Sequence, residues 1–312
     1  MSARSVRAAL AASLILVAAC DATRPIPGSE VAAGRAAPQP SVPIMSDESR
    51  ELRMHYARVQ QALLAQDLLR TDGGGADTPV TPAMLARNFH RIALFEEYAG
   101  GNIGAGEKAS KLHRWEEPVR MSVEFGGVIS HEQRMADRRD IEAFAARIGR
   151  VTGHPVVMAS PDAANFHVFV VDEGARQAIG PRLREIIPSI TPQAIETVAR
   201  MPRSSYCLVF AWDPEEDGTY AEAIAVIRAE HPDLLRRSCI HEEIAQGMGL
   251  SNDFAGARPS VFNDDEEFGL LTRHDEELLR ILYDPRLRPG MTAPEAMPVV
   301  VEIIGDGPDG TH

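Results

Sequence analysis

The chain has 312 residues, a formal charge of −13 and 44% hydrophobic content. That is long enough for one large core or two small ones. It is too acidic to suit nucleic acid or an anionic lipid surface as a partner, and no apolar run after residue 19 has the length of a membrane-spanning helix.

The first predicted element is a targeting segment. Arg4 and Arg7 precede an apolar stretch from Ala8 to Ala19, and Val17-Ala18-Ala19-Cys20 closes it. A charged start, a short apolar run and small residues make residues 1–19 a secretory signal, too short to remain as a spanning helix. Small residues before a cysteine resemble a bacterial lipobox, which implies that Cys20 is lipidated and becomes the first mature residue. The expected setting is the cell envelope, facing the periplasm and held to a membrane by acyl chains. The alternative is an ordinary signal cut nearby, with Cys20 incidental. Asp21 resembles an inner-membrane retention signal; inner versus outer membrane stays open.

Residues 20–45 are rich in Pro, Ala, Gly and Ser without apolar periodicity, the composition of a disordered linker. Residues 46–112 form a predicted N-terminal helical region. Leu52, Tyr56, Val59 and Leu63 have helical spacing, and Gly73-Gly74-Gly75 ends that segment. Thr81-Pro82 reads as an N-cap and first helical position, starting a helix through Phe89, Ile92 and Phe95. Residues 100–106 are a glycine-rich loop.

Residues 113–291 form the main predicted domain. Val119, Met121, Val123 and Phe125 alternate, as in a half-buried strand. Ser130-x-x-Gln133 reads as a capping box for a helix through Ile141, Phe144, Ile148 and Val151, closed by Gly153. Val156–Ala159 and the nearly all-apolar Phe166–Val171 read as strands, the second interior. Helical segments are expected over 175–187 and 192–200. Tyr206–Trp212 and Tyr220–Arg228 read as strands joined by an acidic turn. Asp233 then reads as the cap of a helix running to about Met248. The order predicts an α+β, mixed α/β domain, with a twisted sheet and long helices packed on it. Residues 292–312 read as a C-terminal tail.

Cys207 and Cys239 are the even pair left after Cys20, and an oxidising envelope favours a disulfide between them. The alternative is two buried free thiols; a zinc pair is disfavoured, because no partner stands at metal-ligand spacing in the sequence.

The segment with chemical content is Cys239-Ile-His-Glu-Glu-Ile-Ala-Gln-Gly-Met-Gly-Leu-Ser-Asn-Asp253. His241-Glu242 does not begin an HExxH zinc site, since the second histidine position is Ala245. One residue on, Glu242-Glu243-x-x-Gln246-x-x-Gly249-x-x-Asn252 resembles the metzincin signature HExxHxxGxxH. Ser260-Val261-Phe262-Asn263 resembles that clan's Met-turn, with Phe262 in the methionine position. The stretch from Leu271 to Tyr283, with Asp275, resembles the closing helix of matrix metalloproteases. Arg114-Trp115, Cys239, Glu243, Gln246, Gly249-Leu250, Asn252-Asp253, Phe262 and the run Leu282 to Met291 resemble the proteobacterial lipoproteins of domain-of-unknown-function family 2927, over residues 85–291.

The resemblance implies a zincin-like fold with an active-site-type helix under the sheet, and a cleft beneath an edge strand that pairs with extended peptide. It leaves Glu243 in the general-base position. The ligand positions hold Glu242, Gln246 and Asn252, and amide oxygens are weak zinc ligands. An all-oxygen set suits a harder cation such as calcium, or none. His241 and Asp253 stand nearby; a hydrogen-bonded or exposed histidine is the preferred reading of His241 over a ligand, and nothing in the sequence brings His231 or His274 to the cleft. The acidic run Asn263–Glu267 lacks EF-hand spacing and reads as a solvated loop, with structural calcium as the alternative. The expectation is therefore a binding or structural envelope protein without resident zinc, its partner a peptide or an envelope protein. The alternative is a metal-dependent hydrolase with unusual ligands and Glu243 as base.

Overall fold

Ser46 starts the first helix: its hydroxyl accepts the Ser49 N–H at 3.1 Å, and α1 runs Asp47–Leu64. The computed structural model describes residues 44–96, 108–263 and 265–306. The predicted signal, Cys20, the linker up to residue 43 and the loop 100–106 lie outside the described residues. Helix α2 (Pro82–Ala93) is capped by Thr81 as expected. It stops before Phe95, which belongs to a two-residue strand β1 (Phe95–Glu96) paired antiparallel with β2 (Lys108–Ala109).

The central sheet starts with β3 (Val119–Gly126), followed by α3 (His131–Thr152). Ser130 caps α3, but only half of the expected capping box forms: Gln133 turns away and donates to the Ala229 carbonyl at 2.9 Å. Strands β4 (Val156–Met158) and β5 (Phe166–Val171) come next. The segment 175–187, read as one helix, is two: α4 (Glu173–Gln177) and α5 (Gly180–Ile186). After α6 (Pro192–Ala199), β6 (Cys207–Trp212) and β7 (Glu222–Arg228) form the expected antiparallel pair. Helix α7 (Asp233–Gln246) begins one residue earlier than read, with Pro232 at its N-cap; Asp233 is helical and pairs with Arg236 at 2.8 Å.

Helix α8 (Arg273–Leu282) starts with a full capping box, Thr272 with Asp275. Residues 293–305, read as tail, form α9 (Ala293–Gly305). Its own capping box, Thr292-x-x-Glu295, was present in the sequence; the Thr292 N–H reaches Glu295 at 2.8 Å. Among the described residues no helix is long and apolar enough to cross a membrane.

The strand order is β4-β3-β5-β7-β6, parallel except for β6 at one edge. The fold is thus mixed α+β, as expected. Alternation sorts the side chains into two layers. Val119, Met121, Phe166, Val168, Ala225 and Ile227 join a core with α3, α7 and α8. Phe169, Val171, Ile224 and Val226 face α5 and α6. Because both faces are covered, Ser122 of β3 is buried too, where alternation alone predicted a half-solvated strand.

Helix α1 is fastened to this body by polar contacts around a buried tyrosine. Tyr56 donates to the Arg203 carbonyl at 3.1 Å, Ser49 donates to Glu230 at 2.7 Å, and the Leu235 N–H donates to Gln60 at 3.0 Å. Beneath it Arg228 and Arg176 both pair with Glu173, which shares its carboxylate between the two guanidinium groups. Helix α2 packs its Phe89 and Ile92 into the same core as the sheet.

The Cys207–Cys239 disulfide forms, with Cα atoms 5.8 Å apart, and joins edge strand β6 to α7. It closes a loop of sequence separation 32, which in the chain-entropy picture contributes about 3–4 kcal/mol. Cys207→Ser/Cys239→Ser is expected to unfold at lower urea with a free-energy loss of that order, and non-reduced denatured wild type is expected to show neither thiol to a maleimide label.

Candidate functional site

Helix α7 is buried on nearly every side, packed between α3 and the strands β6 and β7. Its exit is closely specified. The Trp115 indole N–H donates to the Gly247 carbonyl at 2.9 Å, and the Tyr283 hydroxyl donates to the Met248 carbonyl at 2.9 Å. Both carbonyls belong to the final turn, where helical partners run out. Gly249 then has φ +119, and a Cβ there would sit 2.2 Å from the His113 carbonyl oxygen. Only glycine fits a positive φ at that approach. This is the turn that the signature resemblance assigned to Gly249.

The residues of that signature take different partners. Glu243 is 4% exposed and lies with Glu242 beside Cys207: one ligand atom from each lies within 4.8 Å of the others. Among the described residues this is the one group of three His, Cys, Asp or Glu side chains so close together. No partner stands at metal-ligand spacing from Cys207 along the chain; the fold brings Glu242 and Glu243 to Cys207 through β6. As a disulfide sulfur, however, Cys207 is not a thiolate ligand.

Gln246 donates its amide N–H to Asp253 at 3.1 Å. Asn252 is buried and donates to the Arg91 carbonyl at 2.9 Å, while its backbone N–H donates to the Ile92 carbonyl at 3.1 Å. The third position of the signature therefore also holds the C-terminal end of α2.

His241 faces the other way, into the core. Its ring stacks on Phe144 at 4.0 Å, and its Nδ1 accepts the Leu271 N–H at 3.1 Å. Burial, with Arg147 and Arg237 adding to it, lowers its pKa to about 3. It is the hydrogen-bonded helix histidine expected from sequence. The His231 Nε2–H donates to the Tyr206 carbonyl at 2.8 Å, and burial lowers its pKa to about 3 as well. His274 lies between Asn88, at 3.0 Å, and Asp275, at 3.3 Å.

Asp275 organises the Phe262 turn. Its carboxylate accepts the Ser260 hydroxyl at 2.6 Å, the Val261 N–H at 3.0 Å and the Thr272 N–H at 2.9 Å. Phe262 is fully buried, and its carbonyl accepts the Phe254 N–H at 2.8 Å. The acidic loop that follows is not simply solvated: Glu267 pairs with Arg258 at 2.6 Å and with Arg70 at 3.1 Å, which lowers its pKa.

A cleft of about 910 Å³ runs beside the free edge of β6, lined by Val209 to Asp213 and reaching Gln246. Its floor holds His113, stacked on Tyr220 at 5.4 Å, with its two ring nitrogens each 3.5 Å from a carboxylate, of Glu96 and of Asp213. Burial raises the pKa of Tyr220, so the phenol stays protonated. Lys108 and Lys111, the two lysines of the chain, both line this cleft. None of these residues shares a sequence motif with α7, and only the packing of β1, β2 and β6 unites them.

The molecule is thus a mixed α+β domain with a cleft between its antiparallel edge strand and the β1–β2 pair, reaching the buried helix at Gln246. The chain belongs to the family described as Protein of unknown function (DUF2927), whose model matches residues 82–302. No curated protein and no solved structure matches it.

The depressed pKa of His241 has a thermodynamic consequence. In the folded state it stays neutral down to about pH 3, whereas unfolded histidine protonates near about 6.5. Between those values the unfolded chain binds the extra proton, so stability falls as pH falls. Replacing His241 by Gln is expected to flatten the unfolding free energy against pH in this window by about 1.4 kcal/mol per pH unit, read from urea melts at pH 4, 5 and 6.

Proposed function

We propose that this protein is a lipid-anchored envelope protein whose metzincin-like domain binds an extended peptide or protein segment along β6 without cleaving it. The observation that carries this reading is the cleft that follows the unpaired edge of β6 and ends at Gln246 of α7. An edge strand offers free backbone donors and acceptors, and a peptide that adds to it gains main-chain hydrogen bonds while its side chains enter the adjoining cleft. Val209 and Ala211 supply an apolar wall, and the charged floor supplies both signs for polar groups.

The donor chemistry argues against zinc at the signature positions. Glu242, Gln246 and Asn252 offer one carboxylate and two amides, Gln246 is hydrogen-bonded to Asp253, and Asn252 to the end of α2. These groups do not fit a catalytic zinc, which takes His, Cys or carboxylate donors. The hydrolase alternative draws on the burial of Glu243 in the general-base position. The proposed anchor draws on the charged start, the apolar run and Cys20.

Selection of random peptides on the full chain in detergent tests the binding reading. Bound sequences are expected to lose about tenfold or more in affinity when Val209→Arg or Ala211→Arg fills the cleft wall. Glu243→Gln is expected to leave binding intact. EDTA-sensitive cleavage of those peptides, abolished by Glu243→Gln, would sink the proposal in favour of a hydrolase. For the anchor, wild type is expected in the detergent phase of a Triton X-114 partition and Cys20→Ala in the aqueous phase; identical partitioning would remove lipidation from the account.

A further inference from the structure

Helix α7 carries Cys239, Glu242 and Glu243 at i, i+3 and i+4, so all three project from one face. Opposite that face stands Cys207 of β6, bonded to Cys239. The Cys207 Sγ and one carboxylate oxygen from each glutamate lie within 4.8 Å of one another. Four donors from two rigid elements, two sulfurs and two carboxylates, meet the number and types that a closed tetrahedral zinc site takes. While the sulfurs are joined, neither is a thiolate, and the set is incomplete.

We propose that opening the Cys207–Cys239 disulfide by a dithiol reductant creates a Zn²⁺ site between β6 and α7, with Cys207, Cys239, Glu242 and Glu243 as its ligands. The dithiol gives two electrons and two protons to the disulfide and leaves as its own disulfide; the protein gains two thiols. Zn²⁺ then displaces the two thiol protons to solvent, and each sulfur binds through its electron pair as a thiolate. Zinc bonds of about 2.3 Å to sulfur and about 2.0–2.2 Å to oxygen require donors closer than the present limit, a contraction that side-chain rotation supplies. Oxidising surroundings keep the site closed, because the disulfide consumes both sulfurs. The site shares Glu242 and Glu243 with the signature but replaces Gln246 and Asn252 by the two sulfurs, and its test does not depend on peptide binding.

The test uses the full chain in detergent, oxidised or reduced with dithiothreitol that is then removed under inert gas. Zn²⁺ is titrated against a chromogenic chelator, and Co²⁺ serves as the optical probe of thiolate ligation. The reduced chain is expected to take one metal ion with a sulfur-to-cobalt charge-transfer band, and the oxidised chain none. Glu242→Gln and Glu243→Gln are each expected to weaken binding by about tenfold or more while leaving the oxidised fold unchanged by circular dichroism. Zinc is expected to raise the thermal midpoint of the reduced chain. Absence of the cobalt band, affinity unmoved by both glutamate substitutions, or unfolding as soon as the disulfide opens would each overturn the proposal.

Discussion

Helix α7 ends inside the molecule, where its last carbonyls have neither helical partners nor ready access to water. A buried carbonyl left unsatisfied costs about 1–3 kcal/mol, so the exit needs donors supplied from elsewhere. Trp115 and Tyr283 supply them, at Gly247 and Met248. Trp115 precedes the first strand of the sheet and Tyr283 follows α8, so this helix end joins two distant parts of the chain. Arg114 adds to the junction by donating to the Leu282 carbonyl at 2.9 Å. With the exit held, Gly249 turns the chain toward Ser251, which lines the cleft, and Asn252, which closes α2. The positions of Gln246, the cleft floor and α2 all follow from it.

The other end of the arrangement is the edge strand. β6 has one partner, β7, and its second tie to the body is the disulfide to α7. An edge strand held in this way presents its free side without fraying, which suits a docking surface better than a mobile edge would. The same tie brings a sulfur beside Glu242 and Glu243, so one covalent bond positions the cleft wall and also occupies the donors that reduction would release.

Imidazoles are conspicuous here by their internal use. His241 is stacked and accepts a backbone N–H, His231 sits under α1 against Tyr56, and His274 bridges Asn88 and Asp275. The histidines that do reach the cleft, His90 and His113, come from α2 and from the segment before the sheet. Chemistry in this cleft is therefore built from carboxylates, two ammonium groups, one amide, one phenol and two imidazoles from outside α7, a set for recognition by hydrogen bonds and charge.

Local patterns in the sequence determined most of the elements: Thr81 and Ser130 cap helices where their spacing says, and the apolar run Phe166–Val171 is an interior strand. These succeed because capping and periodicity are short-range, set by residues three or four apart. The glycine at 249 and the paired cysteines were also legible, through the resemblance and the redox setting. Where local signals competed, tertiary packing decided: Gln133 left its capping box for the Ala229 carbonyl, Phe95 left α2 for a strand, and Asp233 gave up the cap to pair with Arg236. Only the tertiary structure placed Cys207 beside Glu242 and Glu243, or gathered Glu96, His113, Asp213 and Tyr220 around one cleft. Those residues are up to more than a hundred positions apart, and their proximity depends on which strand lies at the sheet's edge, a long-range pairing that no local pattern encodes.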